Sequence, residues 1–306
     1  AGRKNAKGLD ITETRLIDPA LQKIESVYDE KFEAGPFIAG RLHKPGSPVQ
    51  ITNPAQNDDI VGDVWHANDD IIDLAFETAR SGYEQWNKTP ANERAAALEK
   101  LADLMEDNMA YLMGLCIREA GKTIDDAIAE IREAVDFCRY YALRGRKDFQ
   151  NDGQLLPGPT GEENILTLHG RGVFVCISPW NFPLAIFTGQ ITAALMAGNA
   201  VIAKPAEQTP LIAQEVARLI LESGIPPEAF TLLQGGRDTG ARIVEHEGVD
   251  GVAFTGSTQA AKAINRALAA KDGPIVPLIA ETGGQNAMIV DSSALPEQVI
   301  DDVLHS

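Results

Sequence analysis

Two hydrophobic patterns divide the chain. Between residues 68 and 148, apolar residues recur at helical spacing and predict amphipathic helices. The first helix begins at the N-cap Asn68, the second lies within 91–120 and stops at Gly121, and the third begins at Thr123. From residue 171 onward, short apolar runs alternate with helical segments, which is typical of a mostly parallel sheet with helices on both faces. The pattern therefore predicts an α/β fold.

The predicted strands of the second part are short and end in polar or glycine-containing clusters. They span 172–178, 199–205, 230–236, 251–257, 275–284 and 286–291. Residues 151–170 are rich in turn residues and alternate weakly, which predicts an exposed hairpin able to pair with a partner subunit. Residues 1–30 begin polar and contain glycine, which favours a linker or N-terminal arm.

Composition narrows the classes of function. The formal net charge is −17, and no part of the chain concentrates basic residues, so binding to nucleic acid or to an anionic membrane is disfavoured. We find no apolar run of membrane-spanning length and no secretory signal pattern, so we expect a cytoplasmic protein. Three cysteines without a CxxC pair argue against a disulfide framework or a zinc ribbon, and no metal site is expected.

The clusters at the strand ends carry the candidate chemistry, because ligands of parallel sheets bind beyond the carboxyl ends of the strands. Gly256 and Ser257 could meet a pyrophosphate, although an ordinary N-cap serine explains the same pattern. Lys204 and Glu207 could hold ribose hydroxyls, or could form a solvated ion pair. The amide of Asn181 could face an oxyanion, or could form an Asx turn.

Four ordered segments carry a family resemblance. ISPWNFPL (177–184), AGNAVIAKPAEQTP (197–210), FTGSTQAA (254–261) and LIAETGGQNA (278–287) resemble the NAD(P)-dependent aldehyde dehydrogenases, and the tract at 119–142 resembles a helical segment of that superfamily. More narrowly, residues 281–299 and GLDI at 8–11 are similar to the 1-pyrroline-5-carboxylate dehydrogenase half of bifunctional proline utilization proteins. There a proline dehydrogenase domain precedes this half, and FAD would belong only to that domain, outside this chain.

The resemblance implies a Rossmann-like cofactor domain at 31–283, after an arm at 1–30 and before the start of a catalytic domain at 284–306. Within 31–283, the hairpin at 151–170 would be an oligomerisation element, and the full-length protein a homo-oligomer. The implied reaction oxidises L-glutamate γ-semialdehyde to L-glutamate with NAD, with Asn181 stabilising the oxyanion and Glu281 activating water. Lys204 and Glu207 would bind the adenosine ribose, and Ser257 the pyrophosphate. The implied cofactor-binding set is Ile177, Ser178, Pro179, Trp180, Lys204, Ala206, Glu207, Gly236, Gly240, Thr255, Gly256 and Ser257.

The implied thiol nucleophile is missing from the printed sequence. By the resemblance it would lie roughly 30 to 35 residues beyond Glu281, past Ser306. Cys116, Cys138 and Cys176 fall on apolar faces and are expected to be inert core residues. We therefore expect no aldehyde oxidation by this chain alone. A dinucleotide-binding or assembly module without catalysis stays open as an alternative, as does another semialdehyde dehydrogenase.

Overall fold

The computed structural model describes residues 2–150 and 152–305. The helices are α1 (Thr14–Ser26), α2 (Asp69–Trp86), α3 (Ala91–Asp107), α4 (Met109–Ala120), α5 (Ile124–Asp148), α6 (Ala185–Met196), α7 (Pro210–Glu222), α8 (Arg237–Glu245), α9 (Thr258–Ala269) and α10 (Pro296–His305). The strands are β1 (Phe32–Ala34), β2 (Phe37–Ile38), β3 (Arg41–Leu42), β4 (Val49–Asn53), β5 (Gln56–Val64), β6 (Gln154–Leu156), β7 (Asn164–Leu166), β8 (Val173–Ile177), β9 (Ala200–Lys204), β10 (Phe230–Leu232), β11 (Gly251–Gly256) and β12 (Leu278–Thr282). A 3-10 turn spans Val27–Asp29.

The large sheet has the strand order β12-β11-β8-β9-β10-β2-β3. Its first five strands are parallel to one another, and β2 and β3 continue it in antiparallel fashion. The chain runs outward from β8 through β9 to β10, and then returns to the other side of β8 for β11 and β12. The order therefore reverses between β8 and β11, which is the point where ligands bind in open sheets of this kind. The predicted α/β class and mostly parallel sheet are confirmed.

Each face of this sheet packs against its own helix layer. Cys176, Ala203 and Ala253 point toward α6 and α7, behind which lie α3, α4 and α5. Val175 and Phe254 point to the opposite face, toward α2, α8 and α9. Strands buried on both faces explain why their sequences read as continuous apolar runs.

Helix boundaries follow local capping chemistry. Asn68 accepts a hydrogen bond from the backbone N–H of Ile71, and Thr123 accepts one from that of Asp126, as expected for N-caps. Gly121 ends α4 in the left-handed conformation, with φ of 66°. The single helix predicted within 91–120 is wrong: α3 and α4 are separated at Asn108, which has φ of −100° and ψ of 15°. Both the backbone N–H and the side-chain amide of Asn108 donate to the carbonyl of Leu104.

The N-terminal segment expected to be a linker contains a packed helix. Ile24 of α1 and Val27 are buried in the main core. A Cβ at Gly114 of α4 would lie 2.8 Å from Val27 Cγ2, so the glycine permits this close approach.

Residues beyond α5 include the expected hairpin and one strand prediction that fails. Strands β6 and β7 pair antiparallel within 151–170, and Leu155 is 68% exposed. No strand forms at 286–291: these residues carry no ladder pairing, and Ile289 is 94% exposed. An apolar run needs a partner strand to become part of a sheet, and the described residues provide none there.

The small sheet β1-β5-β4 leads into a loop that reaches the large sheet. The backbone N–H of Ala67 in this loop donates to the carbonyl of Gln234, just after β10, at 2.9 Å. The loop thereby places His66 near the carboxyl edge of the large sheet.

Candidate functional site

The candidate site lies along the carboxyl edge of the parallel strands, around the reversal between β8 and β11. Four predicted segments leave the sheet here: 178–184 after β8, 205–209 after β9, 233–236 after β10 and 257 after β11. Ser178 is buried, and its backbone N–H donates to the carbonyl of Lys204 at 3.2 Å, which joins the first two segments. Ile177, Pro179 and Ala206 are half-buried at the same edge.

Lys204 ends β9 with its side chain turned into the protein. The residue is 6% exposed, and its Nζ donates to the carbonyl of Pro205 at 2.8 Å. Burial lowers the pKa of Lys204 to about 8, while the nearby Glu207 carboxylate acts in the opposite direction. A buried ammonium with one protein acceptor keeps donor capacity for a ligand, so a solvated ion pair does not describe it.

Glu207 and Lys204 lie against two glycines of the β10–α8 segment. A Cβ at Gly236 would lie 2.2 Å from Glu207 Oε2, and a Cβ at Gly240 would lie 3.3 Å from Lys204 Cε. The two glycines therefore leave room for the Glu207 carboxyl group and for the aliphatic part of the Lys204 side chain. We call this space between residues 204, 207, 236 and 240 the cradle, and any side chain at 236 or 240 would fill it. This cradle fits the ribose of a dinucleotide, whose vicinal hydroxyls accept from an ammonium and donate to a carboxylate.

His66 is a neighbour of this pair that the sequence pattern did not indicate. Burial lowers its pKa, while the charge of Glu207 raises it and that of Lys204 lowers it further. The histidine follows a strand of the other sheet, and no motif connects it with residues 204–207.

Two buried glutamates occupy helix N-termini at this edge. Glu130 Oε2 accepts from the backbone N–H groups of Leu184 and Ala185 at the start of α6. The two carboxylate oxygens of Glu119 accept from Leu211 and Ile212 at the start of α7. Neither helix start is open to a phosphate, since a carboxyl group already accepts from its first N–H groups.

The start of α9 is different, because no carboxyl group from another helix accepts from its first N–H groups in the described residues. Ser257 is its N-cap and accepts from the backbone N–H of Ala260 at 3.2 Å. The serine is exposed, so its hydroxyl and the first N–H groups of α9 face solvent beside the β8–β11 reversal. The N-cap interpretation of Ser257 is correct, and it leaves the helix start available to an anion.

Trp180 and Asn181 lie at the exposed tip of the 178–184 segment, and Trp180 is 57% exposed. The side chain of Asn181 makes no hydrogen bond within residues 2–150 and 152–305. An Asx turn would use the N–H two residues later, but that residue is Pro183, which has none. The Asx-turn alternative for Asn181 is therefore excluded.

Glu281 lies on the outer strand, two strands away from β8. It pairs in register with Thr255, so their side chains share the α6 face of the sheet. Thr255 Oγ1 accepts from Gln190 of α6 at 2.9 Å, and Phe254 crowds Gly256 from the other face. Glu281 is exposed, and a Cβ at Gly283 or Gly284 would meet no described atom within 4 Å. Two strand spacings separate Glu281 from β8, which is about 10 Å.

The three cysteines are enclosed in the core, although Cys176 of β8 directly precedes Ile177 at the sheet edge. All three are buried, and burial raises the pKa of Cys138 and of Cys176 to about 12. Burial likewise raises the pKa of Cys116, reinforced by the charges of Glu130 and Glu119. None of these thiols can supply a thiolate at neutral pH.

A metal-binding cluster and a membrane-spanning helix are both absent from the described residues. In 2–150 and 152–305, no group of three or more histidine, cysteine or acidic side chains is arranged to hold a metal ion. No helix in the same residues has the length and apolarity needed to cross a membrane.

Known proteins are similar to this chain in sequence and in fold. The model of the aldehyde dehydrogenase family matches residues 42–306. The bifunctional protein PutA of Klebsiella aerogenes is 49% identical over the whole chain, which spans 22% of that protein. The crystal structure of proline utilization A from Bdellovibrio bacteriovorus superposes with a TM-score of 0.94 at 33% identity, covering 99% of this chain and 32% of that one.

A third neighbour is a 1-pyrroline-5-carboxylate dehydrogenase from Thermus whose structure contains bound NAD. It has a TM-score of 0.88 and 29% identity, and the match covers 93% of this chain and 56% of that one. This chain thus spans about a fifth of the bifunctional relative and roughly half of the single-function neighbour. The family match extends over most of its residues, and the chain belongs to the aldehyde dehydrogenase family.

Proposed function

We propose that this chain is the NAD-binding part of an enzyme that oxidises L-glutamate γ-semialdehyde to L-glutamate. The observation that carries the proposal is the cradle at the sheet edge, where the buried Lys204 and the exposed Glu207 lie against Gly236 and Gly240. The NAD-containing Thermus neighbour supports the choice of cofactor. When bound, NAD accepts the hydride that leaves the aldehyde carbon.

The chain's own residues have distinct roles in this proposal. The Lys204 ammonium donates to a ribose hydroxyl and Glu207 accepts from one, and this carboxylate repels a 2′-phosphate and thereby favours NAD over NADP. Ser257 and the start of α9 take the pyrophosphate, because the starts of α6 and α7 already hold Glu130 and Glu119. Trp180, Thr255 and Gly256 line the path toward the reaction centre.

Asn181 and Glu281 act on the substrate in this proposal. The free amide of Asn181 donates to the developing oxyanion, and Glu281 activates the water that releases the acid. The substrate itself is proposed from the relatives, which are named for proline utilization and for 1-pyrroline-5-carboxylate. The thiol that this chemistry needs is none of Cys116, Cys138 and Cys176, so we propose that the chain alone does not turn over aldehyde.

Calorimetric titration of the chain with NAD tests the cofactor site. We expect Lys204→Ala to raise the dissociation constant about 5- to 30-fold, which is the roughly 1 to 2 kcal/mol of a lost charge-assisted hydrogen bond. Because burial lowers the pKa of Lys204 to about 8, wild-type affinity should also fall as the pH rises from 7 to 9 and the ammonium is lost.

Lys100→Ala is the matched control, since it removes the same charge from an exposed position on α3. We expect it to leave the dissociation constant unchanged. Equal affinity of the Lys204→Ala variant and the wild type would remove Lys204 from the site. Absence of any NAD binding by the folded wild-type chain would contradict the proposed cofactor role.

A further inference from the structure

The tract at 119–142 contributes two of the glutamates and one lysine found behind the site, yet none of these residues has a role in the chemistry proposed above. The tract contains the end of α4, the left-handed Gly121 and the N-cap Thr123, so the chain turns sharply between α4 and α5. This turn brings Lys122 beside Glu130, eight positions later on α5.

Glu130 fixes one end of the 178–184 loop. Its side chain is 1% exposed, and Oε2 accepts from Leu184 N at 3.2 Å and from Ala185 N at 2.9 Å. Helix α6 has no cap from its own N-cap residue, Leu184. A distant carboxylate therefore replaces the missing local cap and joins the loop to α5.

The Lys122 ammonium compensates the charge of the buried Glu130 carboxylate, and it also contacts the 178–184 loop. Its Nζ lies 3.0 Å from Glu130 Oε1 as an ion pair, without the angles of a directed hydrogen bond. The same ammonium lies 4.6 Å from the ring centroid of Phe182, which is a cation–π distance. Phe182 directly follows Asn181 in the chain.

The tip of the loop has little else to hold it. Ser178 N donates to Lys204 O at the β8 end. Trp180 and Asn181 are exposed, and neither side chain makes a hydrogen bond in the described residues. The conformation of the tip thus depends on the contacts at its two ends. At the helix end, Lys122 and Glu130 supply the side-chain contacts, beside the backbone bond from Ile186 N to Phe182 O at 3.3 Å.

We propose that Lys122 and Glu130 are positioning residues that hold the 178–184 loop, and with it the amide of Asn181, in the geometry used by the reaction. The inference rests on the proposed function for the role of Asn181, whereas the positioning itself is a property of this chain. Glu119 caps the start of α7 in the same way that Glu130 caps α6. Helix α7 starts next to Lys204 and Glu207, and not at the 178–184 loop.

The chain labelled with 5-fluorotryptophan gives a direct test by ¹⁹F NMR. It contains three tryptophans, and the Trp180→Phe variant assigns the resonance of Trp180. We expect Lys122→Met and Glu130→Gln to shift and broaden this resonance while those of Trp65 and Trp86 stay in place. Lys122→Arg keeps the charge and the cation–π contact and should restore the wild-type resonance.

Two further variants keep the test decisive. Lys122→Met with Glu130→Gln leaves no unpaired buried charge, so it provides a folded protein if a single variant unfolds. Glu119→Gln is the matched control, since it alters an equivalent cap on the neighbouring helix and should leave the Trp180 resonance unchanged. The proposal is overturned if the Trp180 resonance is unmoved in the folded variants, if all three resonances move together, or if Glu119→Gln moves it equally.

Steady-state kinetics of the full-length enzyme connect the loop to the reaction. We expect Lys122→Met to lower kcat about 10- to 100-fold with little change in the KM for NAD, because an oxyanion donor is displaced while the ribose contacts remain. An unchanged kcat in a variant whose Trp180 resonance has moved would reject the link to Asn181. If the wild-type full-length enzyme oxidises no semialdehyde, the proposed function fails independently of the NMR result.

Discussion

Glu119 caps α7 at the cost of its own hydration. Both carboxylate oxygens accept backbone N–H groups, yet complete burial outweighs these bonds and raises the pKa of Glu119 to about 8 from an ordinary value of 4.5. Between these two values the native state holds a proton that the unfolded chain has released. This group therefore makes the free energy of unfolding fall as the pH rises from about 5 to 8, by up to about 1.4 kcal/mol per pH unit.

Urea unfolding of the wild type and of Glu119→Gln at pH 5, 6, 7 and 8 tests this linkage. The glutamine keeps one acceptor and does not titrate, so it should be less stable than the wild type at pH 5 by about 1 to 3 kcal/mol. The wild-type advantage should shrink as the pH rises and change sign between about pH 6 and 7, because only the wild type loses the contribution of the proton, at up to about 1.4 kcal/mol per pH unit. Parallel curves, or a wild-type advantage that grows with pH, would show that Glu119 is ionised in the native state.

At the residue scale, the local sequence predicts the polar residues that lie at strand ends. It does not predict the side chains that reach the same edge from distant helices and loops. Lys204, Glu207 and Ser257 are predictable because each lies at the end of an apolar run or within three residues of it. Glu119 and Glu130 bond to backbone groups 92 and 54 positions away, so only the packing of α4 and α5 reveals them. The side-chain environment of His66 likewise depends on a loop from another sheet.

At the element scale, helix α1 shows how a polar opening sequence conceals a buried stripe. Ile24 is 6% exposed and packs in the main core, whereas Leu16 on the same helix is 51% exposed. We expect Ile24→Ala to lower the free energy of unfolding by about 2 to 4 kcal/mol and to increase amide exchange throughout α1. Hydrogen–deuterium exchange and urea unfolding give both quantities.

Leu16→Ala is the matched control for this change. It removes the same number of side-chain carbons from an exposed position, and we expect a loss within about 0.5 kcal/mol. Equal effects of the two substitutions would mean that α1 does not pack on α4 in solution, and the segment would then be the linker that its composition suggested.

The other element-scale differences have equally local causes. At the break at Asn108, the side-chain amide joins the backbone N–H in donating to the carbonyl of Leu104, a contact that apolar periodicity does not register. The run at 286–291 has the composition of a strand, but pairing requires a neighbouring edge that composition cannot supply. Strands β8 to β11 and β12 were predictable because they are buried apolar runs bounded by turn residues.

At the scale of the whole molecule, the fold encloses its three thiols in the core, out of reach of the candidate site at the sheet edge. The candidate site occupies the carboxyl edge of the sheet, whereas Cys116, Cys138 and Cys176 are enclosed by the core on the α3 to α7 side. Sequence alone gave the burial of the thiols, since each lies on an apolar stripe. Their raised pKa values follow from that burial and make them poor nucleophiles.

Thiol labelling of the native chain tests this separation. At pH 8, we expect Ellman's reagent to label the native chain at least ~100-fold more slowly than the urea-unfolded chain, which should release three equivalents. Incubation with NAD and semialdehyde should form no NADH, because no thiolate is available to attack the carbonyl. A Ser257→Cys variant serves as the positive control. Its added thiol is exposed at the start of α9, so in the native variant it should be labelled about as fast as the thiols of the urea-unfolded chain. Rapid labelling of the native wild type, or NADH formation by it, would show that one of the three cysteines opens to the site and can act as the nucleophile.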